Sequence, residues 1–103
     1  MSFVRHMGWS GNQCQAYPYV INCDTELMDR IAQEDMIRGV TISANGFYGP
    51  QGRVLRAPLA DPQQNAKIES FRHGKHCITN YEMESSALAG MARILGHKAT
   101  TVC

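Results

Sequence analysis

Residues 77–96 read CITNYEMESSALAGMARILG and predict a strand that runs into a helix. The strand is predicted from Cys77 to Tyr81. Gly96 is expected to end the helix at its C′ position. A helix that is apolar over most of its surface is typical of a buried position, so this helix is expected inside an α/β domain. The apolar positions of the helix are Ala87, Leu88, Met91, Ala92, Ile94 and Leu95.

Helices and strands are predicted to alternate along the rest of the chain. This alternation favours an α/β fold, with helices flanking a largely parallel sheet. Because no linker, internal repeat or low-complexity segment appears, residues 1–103 are expected to form one domain. The first half is predicted to hold a helix end in 1–9, a loop in 10–15, a strand in 17–23, a helix capped by Asp24 that ends near Asp35, and a strand in 37–44. A long loop follows in 45–58, and the next helix is predicted to start at Asp61-Pro62, with Gln64 as its capping-box partner. A polar turn in 72–76, the strand and helix of 77–95, and a strand in 100–102 complete the predicted order.

The composition is that of a globular protein and excludes several classes. The chain is 44% hydrophobic and 18% charged with a formal net charge of +1, which excludes an intrinsically disordered segment. The scattered basic residues argue against a nucleic-acid binder. No apolar run approaches the roughly 18 residues of a membrane span, and the N-terminus lacks the apolar core of a secretory signal. We therefore expect a cytoplasmic protein with neither nucleic acid nor membrane as a partner.

Cysteine and histidine residues were considered as candidate metal ligands. The four cysteines, at positions 14, 23, 77 and 103, form no C-x-x-C pair and are expected to be reduced thiols. The cluster of His73, His76 and Cys77 lacks a fourth ligand at a spacing typical of zinc sites. The sequence therefore predicts a solvent-exposed turn there and no metal or other cofactor.

The loop at residues 45–53, NGFYGPQGR, is the first candidate for chemistry. Its glycines allow a tight turn close to a ligand, and Phe47 offers a face for stacking. Gln51 can donate and accept hydrogen bonds, while Arg53 offers a planar fork of donors. The spacing matches neither a P-loop nor a dinucleotide fingerprint. An ordinary surface loop, with Arg53 paired to a carboxylate, is the alternative.

The segment at residues 80–85, NYEMES, is the second candidate and follows a predicted strand. Ligands of open α/β sheets bind outside the carboxyl ends of strands. Glu82 and Glu84 lie beside an apolar helix, where a carboxylate is costly unless it is paired or binds something. Capping of the helix N-terminus explains one glutamate more easily than two.

Together, the two segments resemble the nucleoside phosphorylase superfamily and, within it, the uridine phosphorylases. The first resembles the uracil-recognition loop of that family, and the second resembles its ribose-binding Glu-Met-Glu. Residues 18–103 as a whole are similar to the family. Glu-Met-Glu is shared with purine phosphorylases and nucleosidases, whereas the Gln-x-Arg of the loop favours a pyrimidine base.

The resemblance implies a three-layer αβα fold with a central mixed sheet, of which residues 1–103 would form a partial domain. Three residues are implied to be catalytic: Gln51, Arg53 and Glu84. The implied binding contacts are Phe47 near base and sugar, Gln51 and Arg53 on the uracil edge, Met83 under the sugar, and Glu84 on the ribose hydroxyls. Glu82 matches the motif and is likewise implied to be a substrate-binding residue, without a defined role.

The implied activity is that of a pentosyltransferase in pyrimidine catabolism and salvage. Uridine and phosphate would give uracil and ribose 1-phosphate, with phosphate as co-substrate, no cofactor and a homo-oligomeric complete protein. The family's phosphate-binding residues have no counterpart in residues 1–19, and its C-terminal part is absent, so the 103 residues resemble an internal fragment that is expected to be inactive alone. The alternatives are a nucleosidase, a purine-nucleoside phosphorylase, a non-catalytic nucleoside-binding module and an inactive truncated product.

Overall fold

The computed structural model describes residues 2–9 and 18–103 and has a mixed α/β fold. Its three-stranded sheet has the order β1-β3-β2, with β3 parallel to β1 and antiparallel to β2. The sheet is therefore mixed, as the resemblance implies. The elements are α1 (Ser2–Met7), α2 (Thr25–Ile31), β1 (Val40–Ser43), a short 3₁₀ helix (Gly49–Gln51), α3 (Gln64–Ser70), β2 (Arg72–His73), β3 (His76–Glu82) and α4 (Ser85–Leu95).

The parallel β1–β3 pair sets the position of the two candidate segments. Its register places Ser43 opposite Glu82 at the carboxyl ends of both strands. The amide of Ala44 continues the ladder by donating to the carbonyl of Glu82 at 2.8 Å. Because both strands end at one edge, the loop that follows β1 and the Glu-Met-Glu that ends β3 begin side by side.

Two local sequence signals are confirmed, one at the start of α2 and one at the end of α4. Asp24 caps α2, since its Oδ2 accepts a hydrogen bond from the Leu27 amide at 2.8 Å. Gly96 ends α4 in the left-handed conformation, with φ of 76°. Glycine reaches this conformation without the steric cost of a Cβ, which explains why the helix stops there.

The predicted start of α3 at Asp61-Pro62 is wrong, because the helix begins at Gln64. Asp61 instead closes a turn before the helix: its Oδ1 accepts from the Gln63 amide at 2.9 Å, and its carbonyl accepts from the Gln64 amide at 3.1 Å. Lys67 binds Asp61 Oδ2 at 2.6 Å, and this hydrogen bond holds the pKa of the Asp61 carboxyl below its usual value.

The strands predicted at 17–23 and 100–102 are wrong for the described residues, which form no strand there. Tyr19 and Val20 are exposed. A strand needs a partner along its whole length, whereas here a single backbone bond, from the Asp24 amide to the Ala99 carbonyl at 2.9 Å, joins the residues that flank these two regions. The predicted loop at 10–15 and residue 17 lie outside the described residues.

The predicted polar turn at 72–76 is a hairpin instead of a simple turn. Arg72 pairs with Cys77 and His73 with His76, and Gly74 supplies a φ of 60° between them. Within residues 2–9 and 18–103, no three His, Cys, Asp or Glu side chains come together as a metal site. The described cysteines, Cys23, Cys77 and Cys103, carry free thiols, and Cys14 lies outside the described residues.

The prediction that α4 is buried is also wrong, because Ala89 is the one buried residue of this helix. Leu88, Met91, Ile94 and Leu95 are each more than half exposed. The main packing partner of α4 is β1, which contacts one side of the helix. A helix that is apolar on several faces is buried only when other elements pack on its remaining sides. No helix of the described chain has the length and apolarity required to cross a membrane.

The small core lies between α1, α3 and the sheet. The buried apolar residues are Met7, Ala44, Ile68, Phe71 and Ala89. Ile68 lies in α3, and Phe71 is the C-cap residue of that helix. Phe3 of α1 meets Phe71 edge to face, with ring centroids 5.1 Å apart. This packing joins α1 to the C-terminal end of α3, which also contacts β3 and holds the loop described next.

Candidate functional site

The loop after β1 is folded around the 3₁₀ helix at Gly49–Gln51. The amides of Gln51 and Arg53 both donate to the Tyr48 carbonyl, at 3.1 and 3.0 Å, and the Gly52 amide donates to the Gly49 carbonyl at 2.8 Å. Gly52 closes the turn with φ of 73°, which a residue with a Cβ rarely adopts. The glycines of the sequence therefore have a structural reason: they place Gln51 and Arg53 on the two sides of one tight turn.

Arg53 is oriented by Phe47, and no carboxylate of the described chain pairs with it. Its guanidinium carbon lies 3.9 Å from the centroid of the Phe47 ring, a cation–π geometry. Its Nη1 also donates to the Phe47 carbonyl at 2.6 Å. Both side chains are exposed. The loop thus uses one side of the guanidinium fork, and the fork has further N–H groups for a ligand.

Gln51 differs from its neighbours because it is buried, with 8% of its surface exposed. It is the one buried polar residue of the described chain. Its side-chain amide forms no hydrogen bond with another residue in the described ranges, so it keeps one acceptor and two donors for a ligand. No side-chain nitrogen or oxygen of the described chain is both fully buried and without a partner, so this amide keeps access to solvent.

Two polar side chains at the start of α3 hold the loop in place. Gln64 Nε2 donates to the Pro50 carbonyl at 3.0 Å. Asn65 Nδ2 donates to the Gly52 carbonyl at 3.1 Å. Neither residue was identified as part of the site from the sequence. A glutamine or asparagine at the start of a helix does not indicate that its side chain binds a loop 13 or 14 residues earlier.

Glu82 is engaged in holding the N-terminus of α4. One carboxylate oxygen, Oε2, accepts from the amides of Glu84 and Ser85, each at 2.6 Å. The other, Oε1, accepts from the Ser43 hydroxyl. Burial by itself would raise the pKa of Glu82, but the hydrogen bonds from Ser43, Ser85 and Glu84 together keep its pKa below the usual value. Glu82 is therefore a charged helix cap.

Ser43 is a third residue that was not identified from the sequence. Besides donating to Glu82, its Oγ accepts from the Ser86 amide at 2.9 Å. The end of β1 is thereby tied to the first turn of α4. The only sequence signal was its position at the end of a predicted strand, and that is too weak to name a partner.

Glu84 and Met83 occupy the exposed side of the same junction. Glu84 is the N-cap residue of α4 by position, but its side chain makes no capping hydrogen bond. Its carboxylate is therefore available to a ligand, and it lies near the positive end of the helix dipole. Of the two glutamates, one caps and the other does not, which settles structurally the question that the sequence left open.

The two segments begin at one edge of the sheet, but their candidate residues line neither of two clefts in the described chain. One cleft of about 200 Å³ lies between α3 and β3, and another of about 270 Å³ lies between the start of α2 and the end of α4. Between them, the two segments offer an aromatic ring, an amide, a guanidinium and a carboxylate. Such a set can bind a planar polar ring and a diol.

Comparison with known proteins gives one partial relationship. No family model matches the chain, and no solved structure is significantly similar to it. Over 69 residues, which are 66% of the chain, it is 35% identical to Uridine phosphorylase A of Schistosoma mansoni. The aligned region spans 23% of that protein, so the chain matches less than a quarter of its length. This similarity supports a relationship with the nucleoside phosphorylases.

Proposed function

We propose that these residues belong to a uridine phosphorylase-like pentosyltransferase and carry its uracil- and ribose-binding segments. The three-stranded sheet would be one part of the three-layer αβα fold of that superfamily. The observation that supports the proposal is that the loop carrying Gln51 and Arg53 and the segment carrying Glu84 begin side by side, where β1 and β3 end at Ser43 and Glu82. The partial similarity to Uridine phosphorylase A supports it.

The proposed reaction breaks the bond between ribose C1′ and uracil N1 while phosphate captures the sugar. The electron pair of that bond leaves with the base, so negative charge grows on the uracil oxygens and the sugar becomes oxocarbenium-like. Donors fixed in advance near those oxygens stabilise this charge more than they stabilise bound uridine. The proposed ligands are uridine, phosphate, uracil and ribose 1-phosphate, and no cofactor is required.

The proposed contacts are those that the resemblance to uridine phosphorylases implies, and the donor and acceptor chemistry of the polar side chains fits them. The buried Gln51 amide would accept from uracil N3–H and donate to O2, and Arg53 would donate to O4. Phe47, already stacked with Arg53, would flank the base and sugar. Glu84, which caps nothing, would accept from the ribose hydroxyls, with Met83 beneath the sugar.

Glu82 is excluded from a primary ribose contact in this proposal, because its two oxygens already hold three hydrogen bonds from the chain. Its proposed role is to fix the α4 N-terminus, which sets where Met83 and Glu84 lie. Glu82 is therefore a positioning residue and Glu84 a binding residue, although the motif contains both.

The test is uracil release from uridine by a complete enzyme that carries this segment, measured with and without phosphate. Phosphate-dependent release with formation of ribose 1-phosphate is the expected result. Release that does not depend on phosphate and yields ribose would identify a nucleosidase, and preferential cleavage of inosine would identify a purine-nucleoside phosphorylase. Uridine binding without turnover under saturating phosphate would identify a non-catalytic nucleoside-binding module.

A further inference from the structure

Asn65 connects the Gly46–Arg53 loop to β3 through a single side-chain amide. Its Nδ2 donates to the Gly52 carbonyl at 3.1 Å, and its Oδ1 accepts from the Tyr81 hydroxyl at 3.2 Å. Gly52 lies between Gln51 and Arg53 in the chain, and Tyr81 immediately precedes Glu82. From this geometry we propose that Asn65 is a positioning residue for the base-binding pair, an inference that rests on the proposed function.

The amide is seated directly against the loop backbone. A Cβ built on Gly52 would overlap the Asn65 side chain, so the close approach depends on glycine at this position as well as on its positive φ. The neighbouring Gln64 holds the Pro50 carbonyl at 3.0 Å. The carbonyls on both sides of the buried Gln51 are therefore fixed by side chains of α3.

This arrangement matters for catalysis because Gln51 and Arg53 must meet opposite ends of one base edge. A small displacement of positioned donors reduces the stabilisation that they give to developing charge. Arg53 is itself exposed, and its other partner, Phe47, lies in the same loop, so that contact cannot hold the loop against the sheet. Asn65 supplies a contact from outside the loop, because it binds both the loop at Gly52 and β3 at Tyr81. In this proposal it acts by positioning Gln51 and Arg53 and does not touch the substrate.

The experiment compares Asn65→Ala, Asn65→Asp and Tyr81→Phe in a complete enzyme that carries this segment. Asn65→Asp keeps the acceptor for Tyr81 and removes the donor to Gly52, whereas Tyr81→Phe removes only the hydroxyl. We expect Asn65→Ala to lower kcat/KM for uridine by about 3- to 20-fold, from the loss of two exposed hydrogen bonds. Each of the other two variants should show part of that loss.

Two readouts separate positioning from a general structural effect. In the reverse direction, the KM for uracil should rise more than the KM for ribose 1-phosphate. In an Arg53→Ala background, Asn65→Ala should cause a smaller further loss, because one of the two residues through which it acts is already gone. Thermal unfolding checks the fold, and if Asn65→Ala does not fold, Asn65→Asp and Tyr81→Phe provide the same comparison.

The outcomes distinguish this inference from the proposed function. If the parent enzyme does not cleave uridine, the proposed function and this inference both fail. If the parent is active and the variants retain its kcat/KM, the inference alone fails. It also fails if the loss is the same with and without Arg53→Ala, or if both KM values change equally, because either result indicates a structural contribution only.

Discussion

Ser43 and Glu82, which face each other across the parallel strands β1 and β3, form one hydrogen-bonded unit with the start of α4. The Ser43 hydroxyl donates to the Glu82 carboxylate and accepts from the Ser86 amide at 2.9 Å. Glu82 in turn accepts from the amides of Glu84 and Ser85. A charged acceptor at a helix N-terminus satisfies unpaired amides and also complements the helix dipole. This unit assigns the two glutamates of the motif to different tasks.

The first prediction concerns stability. Glu82→Ala is expected to lower the free energy of unfolding by about 0.5–2 kcal/mol, as the loss of a helix cap does. Glu84→Ala is the matched control, because its side chain makes no capping bond, and its effect should stay within about 0.5 kcal/mol. Urea denaturation followed by circular dichroism measures both. Equal destabilisation by the two substitutions would contradict the capping assignment.

The second prediction concerns turnover in a complete enzyme that carries this segment. Glu84→Ala is expected to damage turnover more than Glu82→Ala, because Glu84 is the carboxylate available to the ribose diol. A hydrogen bond to a charged group contributes about 1.5–3 kcal/mol, so the loss in kcat/KM for uridine should be roughly 10- to 150-fold. Steady-state phosphorolysis below the unfolding temperature of each variant measures it. Equal losses would remove the assignment of Glu84 to the sugar.

The third prediction is the pH dependence of the Glu82 cap. The folded state holds the pKa of Glu82 below its usual value, so the unfolded state binds this proton more readily. The stabilisation is therefore complete above the pKa of Glu82 in the unfolded state, about 4.3. It is lost as the pH falls through the lower pKa of Glu82 in the folded state. The difference in unfolding free energy between the parent and Glu82→Gln should shrink over that acid range.

Denaturant titrations of the two proteins between neutral pH and the acid range provide the measurement. The Gln side chain keeps the size of Glu82 but carries no charge at any pH, so it isolates the ionisation of this one group. A stability difference that stays constant down to the lowest pH would show that the charge of Glu82 does not stabilise α4.

The fourth prediction concerns base choice and follows from counting donors and acceptors. Uracil presents an acceptor at O2, a donor at N3 and an acceptor at O4, which Gln51 and Arg53 can satisfy together. Cytosine presents an amino group in place of O4, and Arg53 has donors only. Sites built around polar groups can reject a mismatched analogue by roughly 10⁴–10⁵, so uridine should be cleaved and cytidine strongly rejected.

Phosphorolysis of both nucleosides at matched concentration tests this selectivity. Arg53→Lys should restore uridine turnover only in part relative to Arg53→Ala, because an ammonium group does not reproduce the planar fork or its stacking on Phe47. Comparable kcat/KM for uridine and cytidine would show that Gln51 and Arg53 do not read the base edge.

Features with a local cause could be predicted from the sequence alone. Asp24 caps its helix and Gly96 ends another because an acceptor at the N-cap and a left-handed residue at the C-terminus act within one turn. The strands β1 and β3 were predicted, although with shifted ends, because their apolar patterns are strong. The glycine-rich loop was also expected, since its composition leaves few alternatives.

Features that depend on distant partners were decided by the tertiary structure. The apolar runs at 18–23 and 100–102 are not strands here, because a strand exists only where another strand pairs with it along its length. The exposure of Leu88 and Met91 likewise depends on what covers α4, and not on its own pattern. The capping role of Glu82 depends on its contact with Ser43, and the position of Gly52 depends on its contact with Asn65. Both contacts join residues that only folding brings together.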